Sequence, residues 1–154
     1  MPGAWGGEAI AAAIAGEFSP AGRLPVALPR SAGHGPVFHA EHNGSTGNSF
    51  AAGALNRDGY MFSANTPLRP FGYGLSYTSF SYEGFRLSIA PDGRGDARVT
   101  VRNTGAMDGD EVVQLYGRDV VASIVRPVQE LIGICRVSLL AGEARTVRFS
   151  FNLN

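Results

Sequence analysis

The chain has 154 residues, of which 44% are hydrophobic and 17% charged, with thirteen basic residues balancing thirteen acidic ones. That balance supports a packed core in one domain, or in one small domain with part of another, and does not suit a disordered chain. Zero formal charge, with arginines scattered rather than clustered, also excludes the basic stripe of a nucleic-acid binder.

Three zones follow one another: 1–30, 31–68 and 69–154. In the first, Pro2-Gly3 precedes a stretch from Glu8 to Ala15 in which Ile10 and Ile14 share one helical face. Alanines fill most of the remaining surface, so the helix is apolar nearly all round, as suits one buried in a larger α/β body. Gly16 is placed to stop it. Ser19-Pro20-Ala21-Gly22 turns the chain, and Leu24, Val26 and Leu28 then alternate as in a strand. Pro25 and Pro29 lack the amide hydrogen that a ladder needs, so this segment reads as an edge or an extended strap. One helix and one strap cannot enclose a core, and the zone reads as the tail of another domain. No basic segment followed by an apolar one opens the chain, so no signal peptide is expected. No apolar run approaches the ~20 residues of a membrane-spanning helix, so no membrane partner is expected.

The second zone, rich in Gly, Ser, Asn and Ala, has no steady period and reads as a long loop or linker. The third is β from Phe80 onward. Phe80 and Tyr82 share a face, and beyond Gly84 the apolar parity switches to Phe85, Leu87 and Ile89, which predicts a bulge at the glycine. Pro91-Asp92-Gly93 predicts a turn, and Ala97, Val99 and Val101 alternate with polar residues in a half-buried strand that ends at Asn103-Thr104-Gly105. Val112 to Tyr116 and Leu131 to Leu139 are further strands. After a turn at Ala141-Gly142-Glu143, the alternating Val147, Phe149 and Phe151 make the last. Short strands at regular spacing predict an antiparallel sandwich. Cys135, the only cysteine, excludes an intrachain disulfide and reads as a buried core thiol.

Acid–base hydrolysis by carboxylates takes two cooperating groups. No persuasive pair stands out here: Asp110 and Glu111 are adjacent in or beside a strand and face opposite ways, while Asp92, Asp96, Asp108 and Glu143 read as solvated turn residues. His34, His39 and His42, with Glu41, gather in the long loop without the helical spacing of a metal site, which favours loop-anchoring over metal ligation. Gly3 to Gly7 opens a helix without a following Lys-Ser/Thr, so it is no phosphate loop, and Gly44-Ser45-Thr46-Gly47 lacks the spacing of a nucleophile elbow. No catalytic, metal or cofactor-binding residue is therefore assigned, and no cofactor is expected.

The strongest local signal is Arg69-Pro70-Phe71-Gly72-Tyr73-Gly74-Leu75-Ser76-Tyr77-Thr78, in which a rigid proline, glycines and three aromatics predict a tight, aromatic-packed junction. This stretch resembles the entry to the fibronectin type III-like domain of glycoside hydrolase family 3. Pro2-Gly3, Gly6-Gly7 and Ala9-Ile10-Ala11 are similar to a helix of that family's α/β sandwich domain, and Ser19 to Val26 to that domain's closing segment. Val101 to Gly105, Gly109 to Tyr116 and Arg126 to Leu131 resemble successive β-domain strands.

The resemblance implies a mainly β fold: a fibronectin type III/immunoglobulin-like sandwich over 69–154, preceded by one helix and a strap from an α/β sandwich domain. It also implies a parent that is a retaining, exo-acting β-glucosidase or β-xylosidase, often periplasmic or secreted, whose partner is a β-linked oligosaccharide or glycoside. The family's nucleophile Asp and acid/base Glu belong to segments outside this chain, so the chain is expected to need its missing catalytic domains. Where relatives carry an aromatic-Leu-Asp stretch, Tyr60-Met61-Phe62-Ser63 stands here. Relatives also continue past Phe149 through at least one more strand, so the sandwich ending at Asn154 is expected to be incomplete. The alternative is a free-standing fibronectin-like binding or scaffold module, which would have no use for the apolar segment 1–30.

Overall fold

A computed structural model of the chain describes residues 3–34, 37–40 and 66–153. Among these residues it is mainly β with one helix: α1 (Gly6–Ala15), then β1 (Phe80–Ile89), β2 (Arg94–Asn103), β3 (Gly109–Gly117), β4 (Glu130–Leu139) and β5 (Ala144–Asn152). The chain divides into two compact units. One comprises Met1–Gly22, Leu75–Leu115 and Gly133–Asn154, and the other Arg23–Gly74 and Tyr116–Ile132.

In the first unit, α1 ends where expected. Gly16 takes the left-handed conformation at φ 76°, and the amides of Gly16 and Glu17 donate to the carbonyls of Ala13 and Ala12. Glu8 sits in the first turn, where a negative charge suits the helix dipole. No residue of α1 is buried, and Ile10 and Ile14 face outward.

The strands form a three-stranded sheet in the order β1-β2-β5 and a two-stranded sheet of β3 and β4. β1 pairs antiparallel with β2, and β2 with β5. The register of β1 shifts between Glu83 and Arg86, around Gly84 at φ 62°, so the predicted bulge is where the apolar parity changes. Because opposed residues share a face, the pairs Leu87–Ala97, Ala97–Phe149 and Val99–Val147 put those side chains on one inner surface. The pairs Arg86–Arg98, Arg98–Arg148 and Thr100–Thr146 define the outer, polar surface. The core joins both sheets: Val99 and Val101 of β2, Val113 of β3, Val137 and Leu139 of β4 and Val147 of β5 are buried together, with Phe80, Cys135 and Phe149 packed around them. Cys135 is half-buried at the margin of this cluster rather than enclosed by it. Asp96, expected at a turn, lies within β2 on its outer face.

In the second unit, the segment with Leu24 and Leu28 is a strap. Leu24 exchanges backbone hydrogen bonds with Gly72 and Tyr73, and Leu28 with Leu68 and Arg69. The prolines on either side have no amide to donate, so pairing stays at these two points instead of spreading into a strand.

Candidate functional site

The segment singled out by its composition, 69–78, serves each compact unit through a different set of residues. Within the second unit, Phe71 stacks on the imidazole of His39 with ring centroids 4.3 Å apart, and Tyr116 meets the same imidazole edge-on at 5.5 Å. Arg69 lies over the Tyr73 ring at 4.6 Å, a cation–π contact. Gly72, at φ 77°, makes the bend that lets its own amide reach Leu24. Burial pushes the His39 imidazole below its ordinary pKa, which favours the neutral ring that stacks. His34 is buried and its Nδ1 accepts the Arg30 amide at 3.2 Å, while the Arg30 side chain donates to both the carbonyl and the hydroxyl of Thr66. His34 and His39 thus make these contacts within their own segment; His42 and Glu41 lie outside the described residues, as do Gly44-Ser45-Thr46-Gly47 and Tyr60 to Ser63.

Within the first unit, residues 76–78 act as a clasp. The Ser76 hydroxyl donates to the Pro20 carbonyl at 3.0 Å, the Tyr77 amide donates to the Ser19 hydroxyl at 3.0 Å, and the Tyr77 hydroxyl reaches the Ala13 carbonyl of α1 at 2.9 Å. Tyr77 remains more exposed than an aromatic-packed junction predicts, because its hydroxyl reaches across to the helix while its ring stays at the surface.

Thr78 leads to a buried polar hub. Its hydroxyl donates to Asn103 Oδ1 at 2.6 Å, and the same oxygen accepts the Gly105 amide at 3.1 Å. Asn103 Nδ2 donates to the carbonyls of Met107 and Leu139, and the Asn103 backbone pairs with Glu143 and Gly142. The side chain is wholly buried and joins the ends of β2 and β4 to the clasp, while its backbone holds the turn that leads into β5. A side chain at Gly109 would come within 2.8 Å of Thr78 Cγ2, so the glycine keeps this corner closed.

The carboxylates are used structurally. Asp110 and Glu111 do point opposite ways. Asp110 accepts Arg136 on one face of β3, whereas Glu111 is buried on the other and accepts the Tyr82 hydroxyl at 2.7 Å. Asp96 lies between Arg148 and Arg98, Asp92 accepts from Arg94, Asp108 accepts the Ala141 amide, and Glu143 accepts the Leu140 amide and Arg145. Four of these are held below the usual carboxylate range: Asp96 by Arg148 and then Arg98, Asp92 by Arg94, Asp110 by the Ser138 hydroxyl and then Arg136, and Glu143 by the Leu140 amide and then Arg145. That direction favours the ionised form, the reverse of what a general acid for glycosidic-bond cleavage requires.

Residues 1–77 match the glycosyl hydrolase family 3 C-terminal domain, and residues 111–154 match a fibronectin type III-like domain. The chain belongs to glycosyl hydrolase family 3. Its glycosyl hydrolase relatives include a periplasmic β-glucosidase of Salmonella typhimurium, 42% identical over 98% of this chain and 20% of that protein. Another is a β-xylosidase of Formosa agariphila, 41% identical over 96% of this chain and 20% of that protein. Among solved structures, a β-glucosidase of Listeria innocua in complex with glucose superposes with a TM-score of 0.85 at 33% identity, over 96% of this chain and 21% of that one. A β-glucosidase of Erythrobacter marinus gives 0.82 at 40% identity, over 96% of this chain and 18% of that one. The chain therefore spans about a fifth of the length of these family 3 relatives and corresponds to their C-terminal region.

Sequence reasoning located the 69–78 segment but missed the hub. Asn103 reads as a turn residue because Asn-Thr-Gly is ordinary turn composition, and nothing local marks its side chain as buried. The available signal was positional: an Asn in phase with Ala97, Val99 and Val101 faces the core and must be hydrogen-bonded there.

Proposed function

We propose that this chain is the non-catalytic C-terminal portion of a retaining, exo-acting β-glucosidase or β-xylosidase, in which it stabilises the catalytic body. Segment 1–30 is read as belonging to the α/β sandwich domain of that enzyme, 31–68 as the connection, and 69–154 as the fibronectin type III-like domain.

The observation that carries this reading is α1. A helix apolar nearly all round, with no residue buried, is fastened to the β-sandwich through Tyr77 and so offers its surface to a body outside these residues. A free-standing β module gains nothing from such a helix, since exposed Ile10 and Ile14 would only promote aggregation. The arginine pairing of Asp96 and Asp110 supports the non-catalytic part of the reading to this extent: it disfavours the protonated form that a general acid needs. Listeria innocua β-glucosidase has been solved with glucose and, as a mutant, with laminaribiose, which fits a β-glucoside as the substrate class of the whole enzyme.

The purified chain is expected to hydrolyse neither an aryl-β-glucoside nor an aryl-β-xyloside. Turnover that co-purifies with the chain through successive columns and disappears on its immunodepletion would overturn the proposal.

A further inference from the structure

The chain contains no lysine, so its thirteen basic residues are all arginines, and folding gathers some that lie far apart in sequence. Arg86, Arg98 and Arg148 stand directly opposite one another across β1, β2 and β5, in one row on the outer face of the three-stranded sheet. Neighbouring strands lie ~4.8 Å apart, so the row runs for about 10 Å across the strand direction. All three residues are exposed. Like charges directly opposed in a ladder repel one another. Asp96 offsets part of this by accepting from both Arg98 and Arg148, while Arg86 makes no ion pair among the described residues. Arg102, in phase with Arg98 along β2, adds to the positive charge. Against these four arginines the same face sets two carboxylates, Asp96 and Glu83, and so keeps an excess of positive charge.

Hydroxyl groups border the row on both sides. Ser88 and Ser150 flank Asp96 across the ladder. On the other side Thr100 is opposed to Thr146, their hydroxyls 3.2 Å apart.

We propose that this outer face binds an acidic polysaccharide, a run of uronate sugars laid across the strands. Its carboxylates meet the arginine row and its hydroxyls meet the serines and threonines beside that row. Three features select this partner. A guanidinium receives a carboxylate through two parallel hydrogen bonds, which an ammonium cannot do. The flanking hydroxyls both donate and accept, as sugar hydroxyls require. Among the described residues, the outer positions of these strands hold no aromatic ring, which the bases of a single-stranded nucleic acid would need for stacking. The inference stands on this sheet and is independent of the sugar that the parent enzyme cleaves.

The test measures binding of the full chain to polygalacturonate, with neutral dextran, polyglutamate and single-stranded DNA as comparisons. Polygalacturonate is expected to bind at least about fivefold more tightly than any of the three. Raising the salt from about 0.01 M to about 1 M, which shortens the screening length from roughly 30 Å to roughly 3 Å, is expected to abolish that binding. Arg86→Gln is expected to weaken it about fivefold, whereas Arg118→Gln, an exposed arginine outside the sheet, leaves it unchanged. Asp96→Asn releases Arg98 and Arg148 and is expected to strengthen it by a similar factor, a gain that misfolding cannot produce. Dextran or polyglutamate bound as tightly as polygalacturonate would overturn the inference, as would a preference for DNA. Binding indifferent to both Arg86→Gln and Asp96→Asn would equally overturn it, with circular dichroism confirming that the variants fold.

Discussion

β1 and β2 share a sheet, an antiparallel register and an alternating apolar pattern, yet the inner residues of β2 are buried and those of β1 beyond Phe80 are exposed. The difference lies in what stands opposite. The buried cluster draws on β2, β3, β4 and β5, whereas β1 meets it through Phe80 at its start. Alternation specifies which side chains share a surface, and the opposing layer decides whether that surface is dry. α1 repeats the lesson with a different period: its composition is that of a buried helix, and none of its residues is buried within this chain.

The contrast is sharpest for leucines that differ only in their cover. Leu139→Ala removes a side chain at 2% exposure from the core cluster and is expected to cost about 3 kcal/mol. Leu87→Ala, at 53% exposure, is expected to cost less than about 1 kcal/mol. Urea midpoints of the two variants measure the gap, and equal losses would mean that β1 is covered in solution after all.

A smaller effect is expected at the hub. Asn103→Ala strands the Thr78 hydroxyl, the Gly105 amide and the Met107 and Leu139 carbonyls, for a loss of roughly 2–3 kcal/mol. Thr78→Val, which removes one of these bonds while keeping the side-chain shape, should cost about 1 kcal/mol by the same denaturation assay. If Thr78→Val costs as much as Asn103→Ala, the corner depends on the hydroxyl rather than on the amide.

The smallest effect concerns the carboxylates held below their ordinary pKa. Asp96, Asp92, Asp110 and Glu143 have folded pKa values below their ordinary ones, so each contributes stability that is fully present above the unfolded carboxylate value of about 4 and is lost as pH falls through the folded value. Because the arginine partners are largely solvent-exposed, the contribution of each pair is modest. The thermal midpoint is expected to fall below pH 4, and to fall less in Asp96→Asn, which has no charge to lose. An identical acid drop in that variant would remove Asp96 from the account.

The 69–78 segment illustrates how much of the candidate site could be read from the chain alone. Its proline, glycines and aromatics marked a junction, and Gly72 adopts the positive φ that such a junction needs. Which residue does what was not legible. Ser76, Tyr77 and Thr78 find their partners at Pro20, Ser19, Ala13 and Asn103, all remote in sequence, and a hydrogen bond over such separations leaves no periodic trace. Asp96 was misplaced for a related reason. Asp next to Gly is turn composition, and its place in β2 is secured by Arg98 and by Arg148 on the neighbouring strand.

By itself the sequence determined the element types, the stop of α1 at Gly16, the bulge at Gly84 and the division of each strand into inner and outer residues. These follow from backbone conformation and from periods of two and 3.6, which are local. Only the tertiary structure decided which inner residues are dry, that Asn103 is a buried hub, that the prolines limit the strap to two pairing points, and that β1 meets the buried cluster through Phe80. Burial is a property of two surfaces, and a pattern along one chain segment describes only one of them.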